Sequence, residues 1–528
     1  MKSRYRALLS ATLVLGLALA HPLVFAQQPR SGGSIITLNN IEPTHVVTAI
    51  GTGGSGQEIS AKIHDTLIHE NRGKFEPRLA TSWEVSPDGK SYRFNLRRDV
   101  KWHDGTPFTS ADVAFTAEEV WKKYSGTLGF ERIVKAETPD AHTVILRLDD
   151  PVSTDFLLAS FGTHIGQVVP KHKYAGTNFQ QNPNNKAPVG TGPFKFKQWV
   201  PGQYLTLERN PDYFRKPLPY LDSITFKFER NAATASAAIE AGEAALVTRN
   251  SVPLRDLARL DKLADVAVTE KGSENAAWFQ NLEVNVRNPI TSNVKVRQAI
   301  AQSINARQLS EVVFLGRAKP AAGPIHAGTR YADPSAKPHA FDTKRAEQLL
   351  DEAGYKRGAG GVRFTLNFVV AQWFPVNLAA GEVIKQNLET VGIRANLITL
   401  DYPGTLRRIY RDYDFDIALS NSVRSVDPGI ASFTPYWSKG ILPGIPFRNS
   451  SGYNSPEMET AIEAGFAERD PAKRLKAIHD FQRIALRDVP IIHLVEMQQV
   501  NVYREDLQNV SNNDRWYFTN WEDLWLKK

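Results

Sequence analysis

Gly51-Thr52-Gly53-Gly54-Ser55-Gly56 has the spacing of a phosphate-cradling loop; it follows the apolar run Val46 to Ile50 and precedes a helical pattern from Glu58 to His69. A dinucleotide site also needs a second βαβ half with a parallel strand, and the sequence that follows does not supply one. The stretch therefore reads as a flexible loop at a helix start, able at most to offer backbone N–H groups to an anion. His64 and His69 stand five apart, about 140° around a helix, so they do not share a face as metal ligands would. His164 and His172 lack an ordered acidic partner and read as ordinary hydrogen-bonded histidines. The sequence contains no HExxH, no GxSxG and no cysteine. Pairs of carboxylates among 56 acidic residues do not indicate hydrolysis without geometry. These residue types point to recognition without reaction, so neither an enzyme nor a cofactor is expected.

The elements that must position such a site are legible in the hydrophobic pattern. Trp83-Glu84-Val85, the turn Pro87-Asp88-Gly89 and the alternation of Tyr92, Phe94 and Leu96 with polar residues predict a half-buried hairpin. A second hairpin pairs Phe194 and Phe196 with Leu205 and Leu207 across Pro201-Gly202, entered through Gly190-Thr191-Gly192-Pro193. Thr109 with Asp112 forms a capping box ahead of Val113, Val120 and Trp121. Asp342-Thr343 opens a helix with Ala346, Leu349, Leu350 and Ala353 on one face, closed by Gly354. A strand over Phe364 to Val370, a helix from about Ala379 to Thr390 and a strand over Arg394 to Leu400 complete an α/β alternation.

Bulk properties bound the setting. Lys2, Arg4 and Arg6, the apolar run Ala7 to Ala20 and the small residues around Val24-Phe25-Ala26 predict a cleaved export signal over 1–26. The expected product is a free periplasmic protein, since no cysteine is present to carry a lipid anchor. Removing three cations takes the formal charge from +8 to about +5, and the basic residues are interspersed with acids, which argues against nucleic-acid binding. About 500 residues at 42% hydrophobic content exceed one core, so two or three lobes are expected.

The stretch Leu79 to Gly89, continuing through Tyr92 to Arg97 and WHDGTPFTSADV (Trp102 to Val113), resembles the peptide/opine/nickel class of extracellular solute-binding proteins, family 5. VGTGPFKFKQW (Val189 to Trp199), LERNPDYF (Leu207 to Phe214), VRQAIAQSI (Val296 to Ile304) and FDTKRAEQLLDEAGY (Phe341 to Tyr355) are similar to that family in the same order. The resemblance spans about Ser34 to Val510. It implies an α/β periplasmic-binding-protein-like fold of mixed-sheet lobes around a hinged cleft. Lobe I would use 27–61, 188–273 and 503–528, an inserted lobe II 62–187, and lobe III 274–502. It also implies a monomeric receptor that closes around a ligand and delivers it to the permease and ATPase subunits of an ABC importer.

The same resemblance bears on the ligand. In dipeptide- and oligopeptide-binding relatives, an aspartate three residues before an Asp-Pro pair receives the peptide ammonium; here the pair is Asp427-Pro428 and the earlier place is held by Arg424. A guanidinium repels ammonium and favours carboxylate or phosphate, so a ligand with an anionic group is expected. Trp373-Phe374, Tyr436-Trp437 and Asp427 are expected around the ligand, with Asn40 and Glu42 reaching it from lobe I. The alternatives are a conventional dipeptide or oligopeptide receptor and a nickel-chelate receptor.

Overall fold

The computed structural model describes residues 28–527 apart from 51–53, 126–127, 250, 273, 275–276, 373–374, 424 and 514. The predicted export signal and Gly51 to Gly53 of the glycine loop lie outside the described residues. Among those described, no helix is long and apolar enough to cross a membrane.

Three sheets organise the chain. A seven-stranded sheet runs in the spatial order Val266–Thr269, Asn501–Arg504, Leu246–Val247, Ser34–Asn39, Ser223–Phe228, Tyr204–Arg209, Phe194–Val200. Leu205, Leu207, Ile224 and Phe226 on one face pack with Trp516 and Trp521, whose rings stack at 4.7 Å. A four-stranded antiparallel sheet, Ala80–Val85, Ser91–Leu96, Thr143–Leu148, Ile133–Asp140, carries the first predicted hairpin. Its apolar face buries Tyr92, Phe94, Val144 and Leu146 against Trp121, Phe130 and Phe161. A six-stranded mixed sheet follows: Lys319–Pro320, Ile491–Met497, Trp278–Val284, Ile417–Val423, Phe364–Ala371, Ile393–Leu400. Leu282, Val284, Leu366 and Leu419 face helices Val294–Ser303, Thr343–Glu352 and Pro375–Thr390 in its core.

Local chemistry explains the elements. Both predicted hairpins form, and their turns place Gly89 and Gly202 at φ 73° and 74°, a region glycine enters without strain. Asp112 accepts from the Thr109 backbone N–H at 3.0 Å, and the helix begins at Ser110. Asp342 caps Thr343–Glu352 through the Arg345 N–H at 2.9 Å. The helix expected from Ala379 starts a turn earlier, at Pro375, because proline at a first helical position has no orphan N–H to satisfy. The helix read over Glu58 to His69 is shorter than its pattern suggests. It ends at Ile63, and Ile68–Asn71 pairs with Lys74–Pro77 as a hairpin around Arg72-Gly73, both at positive φ.

The insertion, residues 62–187, is sewn onto the seven-stranded body through the glycines that enter the second hairpin. A Cβ on Gly190 would sit 1.9 Å from the Ile63 carbonyl oxygen, and one on Gly192 would sit 2.7 Å from the same atom, so the close approach excludes side chains. His103, in the turn after Trp102, accepts from Gly190 N–H at 3.1 Å through Nδ1 and donates through Nε2 to Gly192 O at 3.0 Å. Glu522 adds an ionic stitch: it pairs with Arg78 at 2.8 Å and with Arg215, and accepts from Tyr213 at 2.7 Å. The six-stranded body is joined to the rest by two chain passages, between Thr269 and Trp278 and between Met497 and Asn501.

Candidate ligand-binding cleft

A cleft of about 800 Å³ opens where the three bodies meet. Hairpin Ile68–Asn71/Lys74–Pro77 and helix Thr154–Gly162 border it on one side, the loop His326 to Tyr331 with Val426 and Asp427 on the other, and Lys271 at the connecting passage. A space of that size lies in the usual range for small-molecule sites.

Its electrostatics follow from how each charge is engaged. Arg72 stands at the tip of the hairpin, shaped by Gly73 N–H donating to Glu70 Oε1 at 2.6 Å. Among the described residues neither the Arg72 nor the Lys271 side chain makes a hydrogen bond or ion pair, and both border the cleft beside the carboxylates of Glu70 and Glu274. Arg330 behaves differently, pairing across the cleft with Asp155 at 2.9 Å and donating to the Tyr331 hydroxyl at 2.6 Å. The Tyr331 hydroxyl donates to Asp427 Oδ2 at 3.0 Å, and Arg474 grips both Asp427 oxygens at 2.8 and 2.7 Å. One polar chain thus runs from the inserted body across the cleft into the interior of the six-stranded body. Nearby, Ser153 N–H donates to Phe466 O and Arg469 donates to Pro87 O, each at 2.8 Å, so the two bodies touch beyond the cleft.

The residues singled out from sequence separate into three groups. Asp427 is 1% exposed and fully engaged: besides Arg474 and Tyr331 it accepts Gly429 N–H at 2.9 Å as the cap of helix Pro428–Ala431. Asp427 borders the cleft with both carboxylate oxygens already accepting hydrogen bonds, and it positions Tyr331. Tyr436 is buried, its hydroxyl 2.8 Å from His493 Nε2 and its ring edge-on to Phe481. Trp437 packs on Phe466 at 5.3 Å beneath Lys439. Tyr436 belongs to an aromatic core cluster against which Trp437 packs; neither borders the 800 Å³ cleft, while Tyr436 borders a smaller cavity beside it. Glu42 accepts from Trp199 Nε1 at 2.9 Å and from Gly202 N–H at 3.0 Å, which ties it to the second hairpin's turn. Asn40 is half-buried after strand Ser34–Asn39 and is not among the residues bordering this cleft. Trp373, Phe374 and Arg424 lie outside the described residues.

Sequence reasoning missed Arg72, Lys271, Arg330 and Tyr331. For Arg72 a signal existed, an Asn-Arg-Gly turn between short alternating segments. Nothing in the local pattern marks the other three. Histidines form a separate group: buried His64 and His164 and half-buried His69 border a cavity of about 40 Å³ between the insertion and the seven-stranded body, and desolvation lowers all three, His64 to about 4.

Residues 74–442 match the model of the bacterial extracellular solute-binding proteins, family 5. An ABC transporter peptide-binding protein of Brucella ovis is 30% identical over 425 residues, which cover 78% of this chain and 77% of that one. The glutathione-binding protein GsiB of Salmonella choleraesuis is 27% identical over 81% of this chain and 82% of its own. Among solved structures, the periplasmic binding protein AgaA of A. tumefaciens R10 with agropinic acid superposes at a TM-score of 0.81 and 26% identity, covering 94% of this chain and 99% of that one. A mixed α/β architecture with a solute-sized gap between bodies, and a family match over most of the chain, converge: this chain belongs to the family 5 bacterial extracellular solute-binding proteins.

Proposed function

We propose that the chain is the free, exported, monomeric receptor of an ABC importer, which closes around a small organic solute bearing an anionic group and delivers it unchanged to the permease and ATPase subunits. In this reading the seven-stranded body is lobe I (about 27–61, 188–273 and 503–528), the four-stranded body lies in the inserted lobe II (62–187), and the six-stranded body is lobe III (274–502). Closure is a hinge motion at the two chain passages. The observation that supports the anionic preference is how the charges are engaged: Arg72 and Lys271 border the cleft with no hydrogen bond or ion pair among the described residues, while Asp427 is consumed by Arg474 and Asp155 by Arg330; Glu70 and Glu274 border it as well. Arg424, in the sequence place of an ammonium-binding aspartate, adds a third cation to this reading. That GsiB binds glutathione and AgaA holds agropinic acid, both acids, is consistent with it. A peptide receptor is the second reading, favoured by the Brucella relative.

The test is mass spectrometry of the compound that co-purifies with the native protein, followed by calorimetry. Arg424→Ala and the pair Arg72→Ala/Lys271→Ala are each expected to weaken binding at least tenfold, consistent with about 2–5 kcal/mol for a desolvated charge contact. Changes under threefold in both, or a bound compound with no anionic group, would refute the anionic reading.

A further inference from the structure

A second space lies inside the six-stranded body. Antiparallel register places Phe279 opposite Ser422, Asn281 opposite Ser420, and Asn281 opposite His493 on the other side. These residues therefore share the sheet face turned away from the apolar core of Leu282, Val284 and Leu419. That face borders a cavity of about 70 Å³, room for about two waters or one carboxyl group. His326, Thr329 and Tyr331 border both this cavity and the cleft, which makes it a side chamber of the binding site.

The chamber holds polar atoms whose pairing is incomplete. Asn281, 5% exposed, donates its Nδ2 to Ser422 Oγ at 2.8 Å, and its Oδ1 accepts nothing among the described residues. Ser425 Oγ and His493 Nδ1 are buried and equally without partners there. Burial pushes the Tyr436 phenol well up and holds His493 down at about 3. The tautomer in which the Tyr436 hydroxyl donates to Nε2 leaves the hydrogen of the neutral His493 on Nδ1. Glu283, at the inner end, is spent on Tyr410 at 2.9 Å and on Ser450, and burial pushes its carboxyl upward. Arg448 borders the same chamber half-buried, with no side-chain hydrogen bond or ion pair among the described residues. Water can satisfy the neutral atoms, but it leaves that guanidinium without a counter-charge.

We propose that this chamber receives a hydroxyl-bearing carboxylate end of the ligand, with the carboxylate facing Arg448, Ser425 Oγ–H and His493 Nδ1–H and the hydroxyl donating to Asn281 Oδ1. The proposal rests on the reading of the cleft as a site for a small acid and names the group that enters deepest. Bidentate geometry and a fixed donor set select carboxylate over its amide, because an amide brings no charge to the guanidinium.

The probes are sodium glycolate, sodium acetate and neutral glycolamide, each at 20 mM and matched ionic strength, read by thermal shift on protein stripped of bound compound. Glycolate is expected to raise the melting temperature by about 2 °C, acetate by less, and glycolamide not at all. Arg448→Gln is expected to abolish the glycolate shift. Asn281→Ala is expected to equalise glycolate and acetate, which keeps the inference testable should Arg448→Gln not fold. An unchanged shift in Arg448→Gln, an equal response to glycolamide, or no wild-type response overturns the chamber assignment. The cleft reading is then judged separately by the rim variants against the co-purified compound.

Discussion

Asp427→Asn distinguishes a positioning carboxylate from a ligand contact. The substitution removes the negative charge and keeps an oxygen for Gly429 N–H, leaving Arg474, whose side chain is 5% exposed, with an unmet charge in the interior. Breaking a buried pair in this way costs about 3–5 kcal/mol. Six-stranded-body unfolding should then fall by roughly 6–20 °C. Thermal and urea unfolding of the ligand-free protein, followed by tryptophan fluorescence, gives the loss directly. Asp427→Ser/Arg474→Met, which retains a capping hydroxyl and removes the stranded cation, is expected to recover most of it. Calorimetry on the same samples should show only a modest change in affinity, transmitted through Tyr331 and Arg330. A stability change under about 1 kcal/mol together with a hundredfold loss of binding would refute the reasoning and return Asp427 to the ligand.

Three further outcomes are expected. Gly190→Ala forces a methyl to 1.9 Å from the Ile63 carbonyl, so backbone must move and stability should drop by at least about 1–3 kcal/mol in equilibrium unfolding. His64, neutral in the fold with its value lowered to about 4, binds more protons unfolded; its contribution is whole above about pH 6.5 and is lost as pH falls towards 4, at about 1.4 kcal/mol per unit, which a melting series over that range checks. Asp155→Asn removes a cross-cleft pair whose side chains are 47% and 58% exposed, so the closed form should lose no more than about 1 kcal/mol, a shift of up to about fivefold in a two-probe fluorescence measurement of closure.

Much of the scaffold was legible because its signals are local. Thr109 with Asp112, Asp342 with Gly354, and the alternation through Tyr92 to Leu96 each specify an element from residues a few positions apart. The helix across His64 misled because apolar spacing was continuous while Gly73, ten residues beyond Ile63, set up the hairpin. The cleft was less legible. Its cations come from positions as far apart as Arg72 and Lys271, and the fate of Asp427 depends on Arg474, 47 residues away. Tyr436 and Trp437 look alike for core and cleft in sequence; their partners His493, Phe481 and Phe466 come from distant parts of the chain.

The glycine seam around His103 has a mechanical corollary. Backbone-level bonds at Gly190 and Gly192 and the shared Glu522 weld the insertion to the first sheet, while the third is joined covalently by two passages of chain and meets the insertion through a few polar contacts. In the proposed reading the molecule is a two-jawed tool in which one jaw is made of two castings fused together. Labels on the fused jaw should keep a constant separation while solute comes and goes, and all of the travel should register against the other jaw.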